Sequence, residues 1–125
     1  MDRVALEACA AAVVGTHDFT AFTPTETDHV RFERDVMRAE WIDESEHVLA
    51  FWIEADTFMR HMVRVLVGSM LAVASGRYDI AWFVDLLNGR PRSAAAETAP
   101  AHGLYLESVR YLHEPFLRGQ TLSEP

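Results

Sequence analysis

The sequence predicts an α+β domain of the ferredoxin-like, split β-α-β type: an antiparallel sheet with helices on one face and one strand missing at the N-terminus. Three observations lead there. Residues 31–42 and 47–55 each alternate in polarity with a period of two, and the polar turn Asp43-Glu44-Ser45-Glu46 lies between them, which is the pattern of a hairpin. Apolar residues at helical spacing flank that hairpin on both sides, and a last alternating stretch starts at Gly103. The order is therefore α, β, β, α, α, β, short of the strand that would precede the first helix. Its place beside the hairpin is either empty or filled by another segment.

Residues 4–14 form the first helix, with Asp2 as N-cap, Gly15 as its stop, and Val4, Ala8, Ala11 and Ala12 as a narrow small-residue face. Residues 16–24 combine turn-forming side chains with Phe19 and Phe22 and read as a loop anchored by those rings. His17 and Asp18 are neighbours in sequence, which seldom face each other productively, so His17 is expected to structure the loop and not to form a catalytic dyad. In the hairpin, Met37, Ala39 and Trp41 oppose Val36, Arg38 and Glu40 on one strand, while Leu49, Phe51 and Ile53 share a face on the other. A long helix opens at Phe58 with Asp56 or Thr57 as cap and closes at Gly76, a natural C′ glycine. Asp79 caps the next helix, whose Ile80, Phe83, Val84 and Leu87 make a core stripe ending at Asn88-Gly89. Residues 90–102 are a loop and 103–111 the final strand. The domain is expected to occupy 1–112, with 113–125 as a mobile tail.

Composition narrows the function classes. Half the residues are apolar, enough for one domain with a real core. The most hydrophobic run, 62–74, is too short for a membrane span and holds an arginine, and no basic-then-apolar leader is visible, so a soluble, cytoplasmic protein is expected. Cys9 is the single cysteine and excludes an internal disulfide. The histidines His17, His29, His47, His61, His102 and His113 are scattered with no pair at ligand spacing, so no metal site is expected. The formal charge is −8, a poor prior for a nucleic-acid binder. That charge is unevenly spread: residues 26–56 carry ten acids against three arginines, whereas 58–96 carry five arginines against Asp79 and Asp85.

One residue stands against its surroundings. Arg64 sits in the apolar run Met62-Val63-Arg64-Val65-Leu66-Val67. A guanidinium stays protonated and is rarely buried without a carboxylate or phosphate to meet its donors. Arg64 therefore either meets an anionic partner or runs its stem along the helix flank into water.

Gly15-Thr16-His17-Asp18-Phe19-Thr20-Ala21-Phe22, then Phe58-Met59-Arg60-His61-Met62-Val63-Arg64 with Gly68, then Arg92-Ser93, then Thr98-Ala99-Pro100-Ala101-His102-Gly103-Leu104-Tyr105-Leu106 with Val109 and Tyr111, follow one another along nearly the whole chain. In that order and at about that spacing the chain resembles the C-terminal half of the tRNA pseudouridine synthase A family. The resemblance implies a two-lobed α+β enzyme, each lobe ferredoxin-like, joined through one continuous sheet with the active cleft between the lobes. It also implies isomerisation of uridine to pseudouridine in the anticodon arm of tRNA, a homodimer, and no cofactor or metal.

The family's nucleophilic aspartate belongs to an Arg-Thr-Asp type motif, and no aspartate here follows Arg-Thr. The chain is accordingly expected to be the C-terminal portion of a longer enzyme, inactive without an N-terminal catalytic lobe. By the resemblance, Arg64 matches the arginine that pairs with that aspartate, holding it ionised and oriented for attack. Leu104 and Tyr105 match the wall of the pocket for the extruded uridine, where excluded water matters while the base detaches. Met62, in the same motif as Arg64, is grouped with this substrate side, and Arg60, Arg90 and Arg92 are candidates for phosphate contacts. The chain departs from the family at Pro91, where an acid is frequent, and at Ala96, where a glycine is common.

A different class of reading is a non-catalytic α+β module that dimerises through an exposed sheet edge or interacts with RNA. The missing strand and acidic surface suit it, but it leaves Arg64 without a purpose. The absence of lysine beside surplus carboxylates suits a high-salt cytoplasm, where an acidic surface maintains solubility. The expected outcome is a midpoint of thermal unfolding that rises between low salt and molar potassium chloride; equal midpoints would remove the salt adaptation.

Overall fold

The computed structural model describes residues 2–24, 31–46, 48–59, 61–97, 105–110 and 121–122, the last two segments by their backbone. Its elements are α1 (Arg3–Val13), β1 (Gly15–Asp18), β2 (Glu33–Ser45), β3 (Val48–Ala55), α2 (Met62–Ala74), α3 (Ile80–Leu86), β4 (Tyr105–Arg110) and β5 (Thr121–Leu122), with 3-10 turns at Thr20–Phe22 and Arg92–Ala94. The protein is α+β, and the strands lie in the order β1-β2-β3-β4-β5. β2 and β3 are antiparallel, as expected of the hairpin, and β1 pairs antiparallel to β2. β4 then joins parallel to β3, with Ala50 opposite Tyr105 and Ala55 opposite Arg110. The long connection through α2 and α3 returns the chain to the end of the sheet where β3 began, and such a crossover delivers a parallel neighbour. β5, within the expected tail, pairs with Ser108 and Val109 of β4.

β1 is a strand where the sequence suggests a loop. Its residues GTHD offer no apolar alternation, and what makes the strand is pairing with β2, Gly15 opposite Val36 and Asp18 opposite Glu33. His17 makes the local contact expected of it, its Nε2 lying 3.1 Å from the Val14 carbonyl oxygen. β2 carries a second departure. Val36 and Arg34 face the core before Met37, whereas Ala39 and Trp41 do so after it, because the register slips between Val36 and Arg38. Met37 is the extra residue of this bulge and stands 44% exposed, on the opposite side from the one simple alternation assigns it.

The helices choose their buried faces by side-chain size. α1 turns Leu6, Cys9, Ala10 and Val13 inward and leaves Ala8, Ala11 and the 75% exposed Val4 outside, the reverse of the small-residue face suggested by spacing. Burying a leucine and a valine removes more apolar surface than burying alanines. In α3 the same competition buries Phe83, Leu86 and the following Leu87 and leaves Ile80 and Val84 exposed, although periodicity put all of Ile80, Phe83, Val84 and Leu87 in one stripe. The core runs between these helices and the inner face of β3, where Trp41 meets Phe51 at 5.1 Å, and Phe22 bridges Phe19 and Phe83 at 5.8 and 6.2 Å. Burial pushes the Cys9 thiol up to about 11, which leaves it protonated and unreactive at neutral pH. Among the described residues, no helix is long and apolar enough to cross a membrane.

Asp2 and Asp79 cap α1 and α3 as expected, accepting from Ala5 N and Trp82 N. α2 closes in a Schellman motif: Gly76 N donates to Val73 O at 3.0 Å and Arg77 N to Ala72 O at 3.0 Å, with Gly76 at φ +86°. Gly89, at φ +84°, serves another purpose. Asp18 donates its N–H to Leu87 O and bridges Asn88, while its Oδ1 is held by Thr20 N and Thr20 Oγ1. A Cβ at Gly89 would lie 2.9 Å from Asp18 Oδ2, whereas one at Gly76 would meet nothing within 4 Å.

Gly76→Ala is therefore expected to cost only the backbone term, about 1 kcal/mol, and Gly89→Ala about 2 kcal/mol or more because the pinned Asp18 must also move. Urea unfolding of the two variants measures both. Equal losses would show that the Asp18 contact carries no strain.

Candidate functional site

The site forms around the start of α2. Asp56, just beyond β3, spends its carboxylate on Asp35 N at 3.0 Å, Thr57 N at 2.8 Å and Arg31 Nη2 at 3.3 Å. It ties the strand exit to β2 and is not the cap of α2, and the helix opens at Met62, not at Phe58. Phe58 and Met59 are non-helical, Met59 is buried, and His61 takes the N-cap position at φ +62°, ψ 3° with no side-chain capping bond. Met62 N donates to Met59 O at 3.1 Å and Val65 N to His61 O at 3.0 Å, and these backbone bonds start the helix.

α2 is buried along its length except for one stripe. Arg64, Gly68 and Leu71 are partly exposed, and every other residue from Met62 to Ala74 is buried. Positions i, i+4 and i+7 lie above one another on a helix, so Arg64 heads a narrow seam in an otherwise sealed element. Its Nε is shut off from solvent. Met62 is wholly enclosed in the core of the chain, where it packs as an apolar residue.

The loop after α3 is fastened beside this seam. Arg92 Nη1 donates to Ala96 O at 3.0 Å, Ala95 N to Arg92 O at 3.1 Å, and Ala96 N to the buried Ser69 Oγ at 3.3 Å. Arg92 thus closes its own loop. Ala96 is buried where the family favours glycine, so its methyl is absorbed into packing. Arg90 is exposed and forms a two-pronged pair with Asp85, Nε–Oδ2 2.7 Å and Nη2–Oδ1 3.2 Å, and those hydrogen bonds raise its pKa. Arg60 and Leu104 lie outside the described residues, and Tyr105 is described by its backbone, opposite Ala50 in β4.

Two residues near the site escaped the sequence. Arg34 is 4% exposed, its Nη1 donating to Arg31 O at 2.6 Å and Glu33 O at 2.8 Å, and its Nε buried without an acceptor. Burial lowers its pKa, Arg31 adds to that, and Asp56 opposes it. Its shared parity with Val36 was the available signal. Ser69 gave none, since a serine in a helical apolar run reads as filler. Among the described residues, no group of His, Cys, Asp or Glu is placed to hold a metal ion.

A family model described as tRNA pseudouridine synthase matches residues 9–112. The chain is 39% identical over 111 residues to the tRNA pseudouridine synthase A of Burkholderia ambifaria, covering 89% of this chain and 41% of that protein. It is 40% identical over 116 residues to the protein of that name from Chloroflexus aurantiacus and 41% identical over 117 residues to that from Burkholderia multivorans, with the same coverage. The chain thus spans 41% of the length of these curated relatives.

Ser69→Ala leaves the buried Ala96 N–H without its acceptor, a loss of about 1–3 kcal/mol felt locally. Hydrogen exchange at the Ala96 amide is expected to quicken by about tenfold or more. Unchanged protection would mean that other contacts hold the loop against α2.

Proposed function

The chain belongs to the tRNA pseudouridine synthase family, and on that premise we propose that it is the C-terminal portion of a cytoplasmic, homodimeric enzyme that isomerises uridine in the anticodon arm of tRNA. The reaction breaks the N1–C1′ bond and forms C5–C1′; C5 loses a proton and N1 gains one. It is neutral in electrons and atoms, so the protein has to supply a nucleophile, a place for the loosened base to turn, and exclusion of water.

In this proposal the nucleophilic aspartate comes from an N-terminal lobe, and Arg64 supplies the cation that keeps it ionised. The observation that carries the assignment is the seam on α2: a permanent cation heads the one part-exposed stripe of a helix sealed elsewhere, with its Nε already out of water. An incoming carboxylate would meet that guanidinium where water screens poorly and where attraction is correspondingly strong. Leu104 and Tyr105 wall the uridine pocket. Arg60, Arg90 and Arg92 contact phosphates, Arg90 by exchanging Asp85 for an RNA oxygen, since exposed ion pairs hold weakly. Arg92 has part of its fork committed to Ala96 O, which aims the rest.

A non-catalytic interaction module is the second reading, and one observation favours it. β1 covers β2 only as far as Val36, and Arg3 Nη2 donates to the Trp41 carbonyl at 3.0 Å on the strand beyond. Among the described residues no strand pairs with that stretch of edge, and a second chain displacing Arg3 from the Trp41 carbonyl would extend the sheet there. A dimer seen by native mass spectrometry that ignores tRNA would support the module.

The intact protein, or this chain with the missing N-terminal lobe added in trans, is expected to release tritium from tRNA labelled at uridine C5, and this chain alone is not. In the intact enzyme Arg64→Ala should lower kcat by about a hundredfold or more with KM for tRNA within about threefold, and Arg64→Lys should recover only part of the loss. Wild-type rates in Arg64→Ala would remove Arg64 from the mechanism.

A further inference from the structure

His61 is the one non-glycine residue with positive φ among those described. A left-handed backbone costs an L-residue relative to the ordinary regions, and histidine, asparagine and glycine bear it best. Such a conformation persists where its surroundings determine it. Here they do so from both sides. Met59 is buried before it and gives its carbonyl to Met62 N, and α2 is buried after it and takes the His61 carbonyl through Val65 N. The side chain adds no capping bond to the helix, so capping does not account for a histidine at this position.

The competing conformation is visible in the sequence. Phe58 and the residues after it follow helical spacing, and Asp56 or Thr57 could cap a helix begun there. Were His61 helical, α2 would extend backward over 58–61, Met59 would leave its buried position, and the direction in which α2 departs from β3 would change. Arg64 lies one turn beyond His61, so its height and azimuth above the sheet follow from that direction. We infer that His61 is a positioning residue: its left-handed backbone at the N-cap sets the path of α2 so that Arg64 is presented to the catalytic carboxylate. This rests on the role proposed for Arg64 and adds the device that fixes its geometry.

If backbone conformation is what matters, activity follows tolerance of positive φ and not ring chemistry. In the intact enzyme, His61→Asn and His61→Gly should keep kcat within about threefold of wild type. His61→Ala, which favours helix, and His61→Val, which resists positive φ, should lower kcat by about tenfold, with KM for tRNA within about twofold. Combined with Arg64→Ala, the change to Val should lower the residual rate by less than about twofold, because the two residues act as one unit. A merely structural role would shift the unfolding midpoint without this dependence on Arg64. Should His61→Val fail to fold, His61→Ala carries the same comparison.

Glycine as damaging as valine would assign the effect to the imidazole, and valine or alanine at wild-type rate would remove it; either overturns the inference. So does a full effect of valine in the Arg64→Ala background. In each of those cases the unmutated enzyme still converts uridine, which separates them from failure of the isomerase reading, where the unmutated protein is inert toward tRNA.

Discussion

The arrangement depends on a cation attached to a helix that has almost no surface left for one. α2 is enclosed by the inner face of the sheet, by α1 and by the loop that Ser69 fastens to it, so its side chains from Met62 to Ala74 are packed except along the line of Arg64, Gly68 and Leu71. Packing of that kind is favourable for valine and leucine and unfavourable for a guanidinium unless an anion meets it. The apolar burial of the helix thus does two things at once. It contributes stability to the domain, and it dries the environment of Arg64, where an ion pair is least screened.

How far the fold could be read depended on whether a segment's fate was decided locally. The hairpin, both aspartate caps and the Gly76 stop follow from short-range rules of alternation and capping; the caps and the stop stand where the sequence put them, and the hairpin forms with β2 continuing through Asp43 to Ser45, where a turn was expected. β1 was invisible because four polar or small residues become a strand only when β2 lies alongside. The bulge at Met37 hid the true parity of β2, since one inserted residue carries every later side chain to the other face. The faces of α1 and α3 were misassigned for a further reason: both helices have apolar residues on more than one side, and competition for core volume among Leu6, Val13, Phe83 and Leu86 is settled by tertiary packing.

The site was legible to the same degree. Arg64 stood out because charge within an apolar run is a conflict that sequence alone exposes, and its half-buried position with a sealed Nε agrees with that conflict. Met62 lies beside it in the same motif, yet helical rotation sends it into the core. Arg34 went unnoticed because its neighbours are polar, although it is the more deeply buried of the two arginines. Motif membership therefore identified the segment, and rotation about the helix axis decided which of its members reach the surface.

For the role proposed above, an acidic protein needs its cations kept available without presenting a bare positive field. The surface arginines here meet that need by pairing with carboxylates: Arg3 with Asp43, Arg31 with Asp56, Arg38 with Glu40 and Glu54, Arg77 with Glu97, and Arg90 with Asp85. Exposed pairs of this sort are weak, and a guanidinium accepts a phosphate with the same forked geometry it offers a carboxylate. Replacing one anion by another changes little in net energy, so RNA held this way gains affinity chiefly from geometry, that is, from how many phosphates coincide with arginines already in place. Long-range attraction contributes little to a chain of net charge −8. In that reading discrimination rests on shape beside α2 and the adjoining loop that the Ser69 hydroxyl fastens to it.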